Sequence, residues 1–220
     1  MEKALAYRSF EKEQKKDGIC YIVGAGEFNA SYCRPKTQDY VIAADAGYLF
    51  LQRSEIDPDL IVGDFDSMDE NISDKAKVIR LPQEKDDTDM LAAIRIGMEK
   101  GYKEFALLGG TGGRIDHTIA NIQCLTYLSK RNCIGYLYAP EYEMRVVTNG
   151  SIVFPPYEQG LLAVFSMGDS ASGVFLHGLK YPLTDATITN DFPIGVSNEF
   201  IGKASCIEVK NGSLLVIRYL

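Results

Sequence analysis

Two aspartates at the end of an apolar segment are the first candidates for chemistry in this sequence. Asp64 and Asp66 follow the apolar run 60–62, with Phe65 between them. In an extended chain, residues two apart point to the same side, so both carboxylates can converge on one point. Close carboxylates repel each other, and a hard cation such as Mg²⁺ relieves that repulsion. A solvated turn is the alternative, because aspartates are common in turns.

A second acidic pair, Asp86 and Asp89, stands where a helix is expected to begin. The spacing of three places both carboxylates on one helix face. The free N–H groups of a first turn can also bind phosphate oxygens. Lys85 could neutralise phosphate charge, and Thr88 or Asp87 suits the cap position. Ordinary helix capping without a ligand is the alternative.

A glycine-rich segment, Gly109 to Gly113, leads into Arg114, Asp116 and His117. Glycines allow the backbone to approach a ligand closely, and the planar guanidinium of Arg114 matches a phosphate. Asp116 could bind metal, accept a proton from a hydroxyl or cap the next helix. His117 fits a catalytic or a structural role. Together with the carboxylates, these residue types are those that metal-assisted phosphoryl transfer needs.

Apolar segments that alternate with helical patterns supply the elements that could position these candidates. Strands are predicted at residues 18–23, 40–44, 60–62, 77–81, 105–108 and 134–138. Helices are predicted at residues 48–53, from residues 86–89 to a stop at Gly101, and after Gly113. This order predicts an α/β N-terminal domain with a mainly parallel sheet, whose functional loops lie at the carboxyl ends of the strands. Asp45, Asp64, Asp66 and the glycine-rich segment all fall there.

The second part of the chain has a different pattern of short β-rich runs. They span residues 151–154, 161–166, 173–176, 204–210 and 213–219. Asn211-Gly212 predicts a hairpin between the last two. We therefore expect a small all-β, sandwich-like C-terminal domain over residues 146–220, after an α/β domain over 18–145 and a charged arm over 1–17. A domain of this size is marginal alone, so it should pack on the first domain or on a partner subunit.

The composition limits the classes of function. The net charge of −7 argues against nucleic-acid and anionic-membrane binding, and an anionic substrate would need a cation as intermediary. Five cysteines without a C-x-x-C pair and two histidines argue against a zinc site. The sequence has no apolar signal segment and no run long enough to span a membrane, so a cytoplasmic protein is expected.

Five motifs occur in a fixed order along the chain. They are Asp45-Ala-Gly47, Gly63-Asp-Phe-Asp-Ser67, Lys85-Asp-Asp-Thr-Asp89, Gly112-Gly-Arg-Ile-Asp-His117 with Ala120-Asn121, and Ser197-Asn-Glu199. In this ordered set the chain resembles the thiamine pyrophosphokinase family. The resemblance implies transfer of a pyrophosphoryl group from ATP to the thiamine hydroxyl, with Mg²⁺, releasing AMP. It also implies a homodimer, with thiamine between the α/β domain of one subunit and the β domain of the other.

The resemblance further implies roles for individual residues. Mg²⁺ and the triphosphate would be held by Asp64, Asp66, Asp86 and Asp89. ATP contacts would come from Asp45, Gly47, Lys85, Thr88, Gly110, Thr111, Arg114 and His117. Thiamine contacts would come from Asp116, Ser197 and Asn198, and the catalytic residues would be Asp64, Asp66, Asp89 and Asp116. The chain has no tryptophan, so an aromatic partner of thiamine must be tyrosine or phenylalanine, such as Phe200.

Other functions share parts of this pattern. A pyrophosphokinase acting on another hydroxymethyl substrate, such as a pterin, would carry the same acidic motifs, and a non-catalytic thiamine or nucleotide sensor could use the same scaffold. Gly24-Ala-Gly26 with Asp45 partly matches a dinucleotide-binding motif of oxidoreductases, but Asn29 stands where that motif has glycine or alanine. A dinucleotide site also has no need of the other carboxylates.

Overall fold

The computed structural model of the chain describes residues 16–63, 77–80 and 87–220. Four predicted site residues lie outside these ranges: Asp64, Asp66, Lys85 and Asp86. The greater part of the predicted N-terminal arm also lies outside them.

Six parallel strands form the first part of the sheet. They are β1 (Ile19–Val23), β2 (Tyr40–Ala44), β3 (Leu60–Gly63), β4 (Lys77–Arg80), β5 (Glu104–Leu108) and β6 (Ile134–Tyr138). Their order across the sheet is β6-β5-β1-β2-β3-β4, and every neighbouring pair is parallel. The central strands are almost continuously apolar because both of their faces are covered. The prediction of a mainly parallel sheet is confirmed.

Among the described residues, three α-helices connect these strands: α1 (Gly47–Arg53), α2 (Asp89–Glu99) and α3 (Ile115–Ser129). A short 3-10 helix spans Ala30–Tyr32. The buried faces of α2 and α3 pack in one core with Phe105 and Leu107 of β5, whereas α1 packs in a core that contains Leu108. No helix of the described residues combines the length and the apolar character needed to cross a membrane.

The rest of the chain forms antiparallel strands. They are β7 (Tyr142–Phe154), β8 (Leu161–Ser166), β9 (Ser170–His177), β10 (Leu183–Thr189), β11 (Asn198–Glu199) and β12 (Ser205–Tyr219). β12 pairs with β7 along its length, with β9 through its first half and with β8 through its second half. β7 also pairs with β6, so the parallel and antiparallel strands belong to one hydrogen-bonded sheet. A separate core fills this second part, with Leu162, Val174 and Ile207 among its members.

The predicted hairpin at Asn211-Gly212 is wrong. The chain runs through both residues within β12, and the pairing with β7 shifts register between Val209 and Ser213. Gly212 has φ +110° at this irregularity, and its N–H donates to Asn149 Oδ1 at 2.9 Å. A β-bulge with a glycine at positive φ and a tight hairpin turn both accept an Asn-Gly pair, so the pair suits either one. The predicted boundary after Arg145 lies within β7, which begins at Tyr142.

Candidate functional site

A cavity of about 600 Å³ opens at the carboxyl ends of β1, β2 and β5. Its walls come from the loop 24–27 after β1, from Asp45 after β2, from the start of α2 and from the glycine loop 109–113. One face of α3 completes it with Arg114, His117, Ala120 and Asn121. This is the edge of a parallel sheet where ligand sites are expected.

Seven of the predicted site residues line this cavity: Asp45, Thr88, Asp89, Gly110, Thr111, Arg114 and His117. Gly47 does not line it. Gly47 begins α1, and a Cβ there would lie 1.9 Å from the Val23 carbonyl oxygen, so the close packing of α1 on β1 explains this glycine without a ligand. Asp116, Ser197 and Asn198 are also absent from the walls of the cavity.

Backbone hydrogen bonds fix the glycine loop against the loop after β1. The N–H groups of Gly24, Gly26 and Glu27 donate to the carbonyls of Leu108, Gly109 and Thr111 at 2.8, 2.8 and 2.7 Å. Gly109 has φ +62°, and a Cβ there would lie 2.2 Å from the Gly24 carbonyl oxygen. Both the conformation and the space therefore require glycine. The two loops form one tightly packed wall of the cavity.

Asp45 occupies a left-handed backbone conformation, with φ +53°. This region is uncommon for residues other than glycine, although aspartate tolerates it better than most. Its N–H donates to the Val62 carbonyl at 2.8 Å, which ties the end of β2 to β3. A Cβ placed on Gly63 would lie 3.3 Å from the Asp45 Cα. The last residue of β3 therefore lies directly beside Asp45, and Asp64 is the next residue in the chain.

The start of α2 presents an acidic first turn to the cavity. Thr88 is the N-cap, and its hydroxyl oxygen accepts from the Leu91 N–H at 3.2 Å, which confirms the predicted cap. Asp89 lies in the first turn, where the helix dipole favours a negative charge. Asp87 is bound by the guanidinium of Arg95, two turns along the helix.

Four carboxylates of the described residues line the cavity: Glu27, Asp45, Asp87 and Asp89. Carboxylate oxygens are the donors that Mg²⁺ prefers, so their chemistry fits this ion. Within residues 16–63, 77–80 and 87–220, however, no three His, Cys, Asp or Glu side chains are grouped so that they could hold a metal ion. Of the four predicted ligands, Asp89 is the one that the structure describes.

Comparisons with known proteins agree with this arrangement. Residues 35–137 match the model of the thiamin pyrophosphokinase catalytic domain, and residues 151–215 match that of the thiamin pyrophosphokinase vitamin B1 binding domain. A thiamine pyrophosphokinase of Bacillus subtilis is 30% identical over 193 residues, which cover 80% of this chain and 86% of that protein. The chain belongs to the thiamine pyrophosphokinase family. The motif-based resemblance is thereby confirmed, and the pterin, sensor and oxidoreductase alternatives find no support in these matches.

Solved structures of thiamine pyrophosphokinases have the same fold. The crystal structure of the Bacillus subtilis protein superposes with a TM-score of 0.84 at 26% identity, covering 92% of this chain and 99% of that one. The protein from Geobacillus thermodenitrificans gives a TM-score of 0.81 at 25% identity, covering 92% and 97%. The likeness extends through both parts of the sheet.

Asp116 forms a bidentate ion pair with Arg114 near the start of α3. Arg114 Nε donates to Asp116 Oδ1 at 3.1 Å, and Nη2 donates to Oδ2. This pairing lowers the Asp116 pKa to about 2. The N-cap of α3 is Arg114 and Asp116 lies in the first turn, so the alternative in which Asp116 caps this helix is wrong. Asp116 is therefore charged at neutral pH and is a weak base.

We expect Arg114→Gln to raise the Asp116 pKa from about 2 towards its ordinary value of 3.8, because the hydrogen bonds from the guanidinium are its largest cause. Carboxyl-detected ¹³C NMR titration from pH 1.5 to 6 measures the change. Glu99→Gln, a change on another helix, is the control and should leave the Asp116 titration as in the parent chain. An Asp116 pKa that stays near 2 in Arg114→Gln would show that other groups hold the carboxylate charged.

The two residues expected to contact thiamine lie next to each other but differ in their surroundings. Ser197 is exposed, with φ +59°. Asn198 is buried, and its amide donates to the Tyr181 carbonyl at 2.7 Å while its oxygen accepts from the Tyr181 N–H at 3.0 Å. The aromatic residue suggested as a partner of thiamine, Phe200, is 3% exposed, and its ring packs against Phe154 and Tyr157. Phe200 is therefore a core residue in this structure, which argues against stacking on thiamine.

The sequence interpretation predicted no ligand contact for several residues of the cavity wall, among them Glu27, Asp87 and Met90. Asn121 was noted as part of a family motif, but no ligand contact was predicted for it either. These residues are brought to the cavity by the pairing of β1 with β5 and by the packing of α2 and α3 on the sheet. The helical spacing of Arg114, His117 and Asn121 is the one signal that could have placed Asn121 on the cavity side of α3.

Proposed function

We propose that this chain transfers a pyrophosphoryl group from ATP to the hydroxyl of thiamine, giving thiamine diphosphate and AMP. One observation carries the proposal. In a member of the thiamine pyrophosphokinase family, one cavity at the carboxyl edge of the parallel sheet is lined by six of the eight residues predicted to contact ATP, and these six come from several separate segments. We assign catalysis to an α/β unit at residues 18–145 and thiamine binding and dimerisation to a sandwich-like unit at residues 146–220.

Three features of the cavity favour a polyphosphate ligand. The glycine loop offers peptide N–H groups, and the N-termini of α2 and α3 both lie at the cavity, where unpaired N–H groups and the helix dipole attract anions. Arg114 adds a planar cation that can bind two phosphate oxygens. These groups can hold the triphosphate in line with the acceptor hydroxyl, which is the main requirement of phosphoryl transfer.

We further propose that Mg²⁺ accompanies the nucleotide, held by Asp64, Asp66, Asp86 and Asp89, with Lys85 close by. The described carboxylates Asp45 and Asp89 fit such an ion in their donor chemistry. When bound, the ion supplies neutralisation of phosphate charge in a protein whose own net charge is −7. A carboxylate with a pKa of about 2 is a weak base. We therefore propose that Asp116 positions the thiamine hydroxyl, and that water accepts the proton that the hydroxyl releases.

A homodimer would complete the site. Ser197 and Asn198 do not line the cavity that gathers the ATP residues, so a second copy is proposed to bring its own pair to it. Exposed apolar side chains flank both halves: Ile115 and Ile119 on α3 are 70% and 53% exposed, and Phe192 before Ser197 is 63% exposed. Apolar side chains at such positions are typical of the centre of a subunit interface.

Ile119→Glu should therefore weaken a dimer by about 30-fold or more, because it places a charge in the proposed interface. Sedimentation velocity across protein concentrations measures the change, and thiamine turnover should fall in parallel at low concentration. Ile134→Glu is the matched control, because Ile134 is 46% exposed at the amino end of β6, on the edge of the sheet opposite the cavity and outside the unit assigned to dimerisation. A parent chain that is monomeric yet fully active, or an Ile119→Glu variant that stays dimeric, would contradict the proposal.

Substrate choice tests the proposal at the level of activity. The protein is incubated with ATP, Mg²⁺ and either thiamine or a hydroxymethyl-pterin, and AMP release is followed. We expect AMP with thiamine and none above background with the pterin. AMP release with the pterin alone would reject thiamine as the acceptor.

A further inference from the structure

The carboxamide of Asn121 lies beneath the glycine loop on the second turn of α3. Asn121 is 7% exposed, and its Nδ2 donates to the Gly110 carbonyl oxygen at 2.8 Å. A Cβ on Gly110 would lie 3.1 Å from Asn121 Nδ2 and 2.7 Å from a methyl carbon of Leu137, so the loop sits closely on both side chains. The contact joins the loop to the helix across 11 residues of sequence.

This contact completes a pattern along the loop. The carbonyls of Gly109, Gly110 and Thr111 accept in turn from the Gly26 N–H, the Asn121 amide and the Glu27 N–H, at 2.8, 2.8 and 2.7 Å. In a planar trans peptide the N–H of the next residue points opposite to the carbonyl. The N–H groups of Gly110, Thr111 and Gly112 are therefore turned away from these donors. Among the described residues, none accepts a hydrogen bond from these three N–H groups.

Thr111 gives an independent sign that a ligand belongs here. Thr111 lines the cavity and is 1% exposed, and no described residue is a hydrogen-bond partner of its hydroxyl oxygen. Buried hydroxyl groups are nearly always paired, and each exception calls for an explanation. A phosphate oxygen bound against the loop is a candidate partner for this hydroxyl and for the peptide N–H of the same residue.

We propose that Asn121 is a positioning residue for the phosphates of the nucleotide. By holding the Gly110 carbonyl it fixes the peptide between Gly110 and Thr111, so that the Thr111 N–H is aimed at a phosphate oxygen. Asparagine suits the task because its amide donates to a carbonyl, whereas the isosteric aspartate has no donor when ionised and would repel that carbonyl. The inference rests on the proposed function, since it assumes that the cavity takes a polyphosphate.

Direct binding of the full chain tests this role without thiamine turnover. Isothermal titration calorimetry measures the binding of three ligands, each in the presence of Mg²⁺: ATP, inorganic triphosphate and adenosine. The proteins are the parent chain and the variants Asn121→Asp and Asn121→Leu. We expect both variants to bind ATP and triphosphate about tenfold more weakly, while adenosine binding is unchanged. In steady state, the KM for ATP should rise by a similar factor and kcat should change less than about threefold.

The variant Leu125→Ala tests whether a loss of packing on α3 is enough to weaken phosphate binding, or whether the Asn121 amide itself is needed. Leu125 lies one turn further along α3. It is buried in the core that α2 and α3 form with β5, and it does not line the cavity. Its truncation should lower the melting temperature and leave triphosphate affinity unchanged. Parent-like triphosphate affinity in both Asn121 variants would overturn the inference and leave the proposed function intact. A parent chain that binds no Mg-ATP would overturn both.

Discussion

Asp89→Asn is expected to lower thiamine turnover by about 10²- to 10³-fold or more, with a melting temperature within about 2 °C of the parent. Asp89 lies in the first turn of α2 and lines the cavity, and it is the proposed metal ligand that the structure describes. Asparagine keeps the shape of the side chain but removes the charge that a hard cation needs. Steady-state kinetics over a range of Mg²⁺ concentrations, together with thermal melts, measures both effects.

Glu99→Gln makes the same chemical change at the other end of the same helix. Glu99 is exposed at the last residue of α2, roughly 15 Å along the axis from Asp89. The Glu99→Gln variant should therefore have the same thiamine turnover and the same dependence on Mg²⁺ as the parent. If Asp89→Asn retained turnover within threefold of the parent, Asp89 would not belong to the catalytic machinery. If the Asp89→Asn variant melted many degrees below the parent, the role of Asp89 would be structural.

Arg218→Met should cost about 3 kcal/mol of unfolding free energy, which lowers the melting temperature by roughly 6–12 °C in a protein of this size. Arg218 on β12 pairs with Glu143 on β7 at 3.0 Å, and the two side chains are 18% and 10% exposed. The pair joins the two longest strands of the sheet. Removing the guanidinium leaves the Glu143 carboxylate without this partner in a poorly solvated place. Chemical denaturation of the variant measures the loss.

The double variant Glu143→Leu/Arg218→Met should regain most of this loss, because an apolar pair of similar volume can replace a buried ion pair. Lys210→Met is the matched control, since Lys210 pairs with Asp185 at the surface with 54% and 67% exposure. It should cost less than about 1 kcal/mol. If Lys210→Met lowered the free energy of unfolding as much as Arg218→Met does, burial of the Arg218–Glu143 pair would not explain the cost of losing it.

The parallel half of the fold was predictable because its sequence signals are local. Strands buried on both faces show as short apolar runs, and Thr88 marks the start of α2 by its chemistry. The antiparallel half was less predictable. β10 is a half-exposed edge strand with few apolar residues, so it was missed. The bulge in β12 was read as a turn, because what decides between them is the continuous pairing with β7.

The candidate site shows the same division between local and non-local information. The order of the motifs identified the family, and the rule that loops gather at the carboxyl edge placed Asp45 and the glycine-rich segment at one edge of the sheet, where both line the cavity. The hydrogen bond of Asn121 to Gly110 depends on how α3 packs against the loop. The pairing of Asp116 with Arg114 depends on a choice of side-chain conformation. Neither follows from residue types and spacing alone.

Transfer of the two terminal phosphates of ATP as one unit is the central chemical claim, and doubly labelled ATP tests it most directly. ATP carrying one label in the β-phosphate and another in the γ-phosphate is incubated with the protein, Mg²⁺ and thiamine, and the thiamine product is separated. We expect both labels in equal amounts in thiamine diphosphate, with unlabelled AMP as the other product. Thiamine monophosphate carrying the γ label alone, with the β label left in ADP, would contradict the claim.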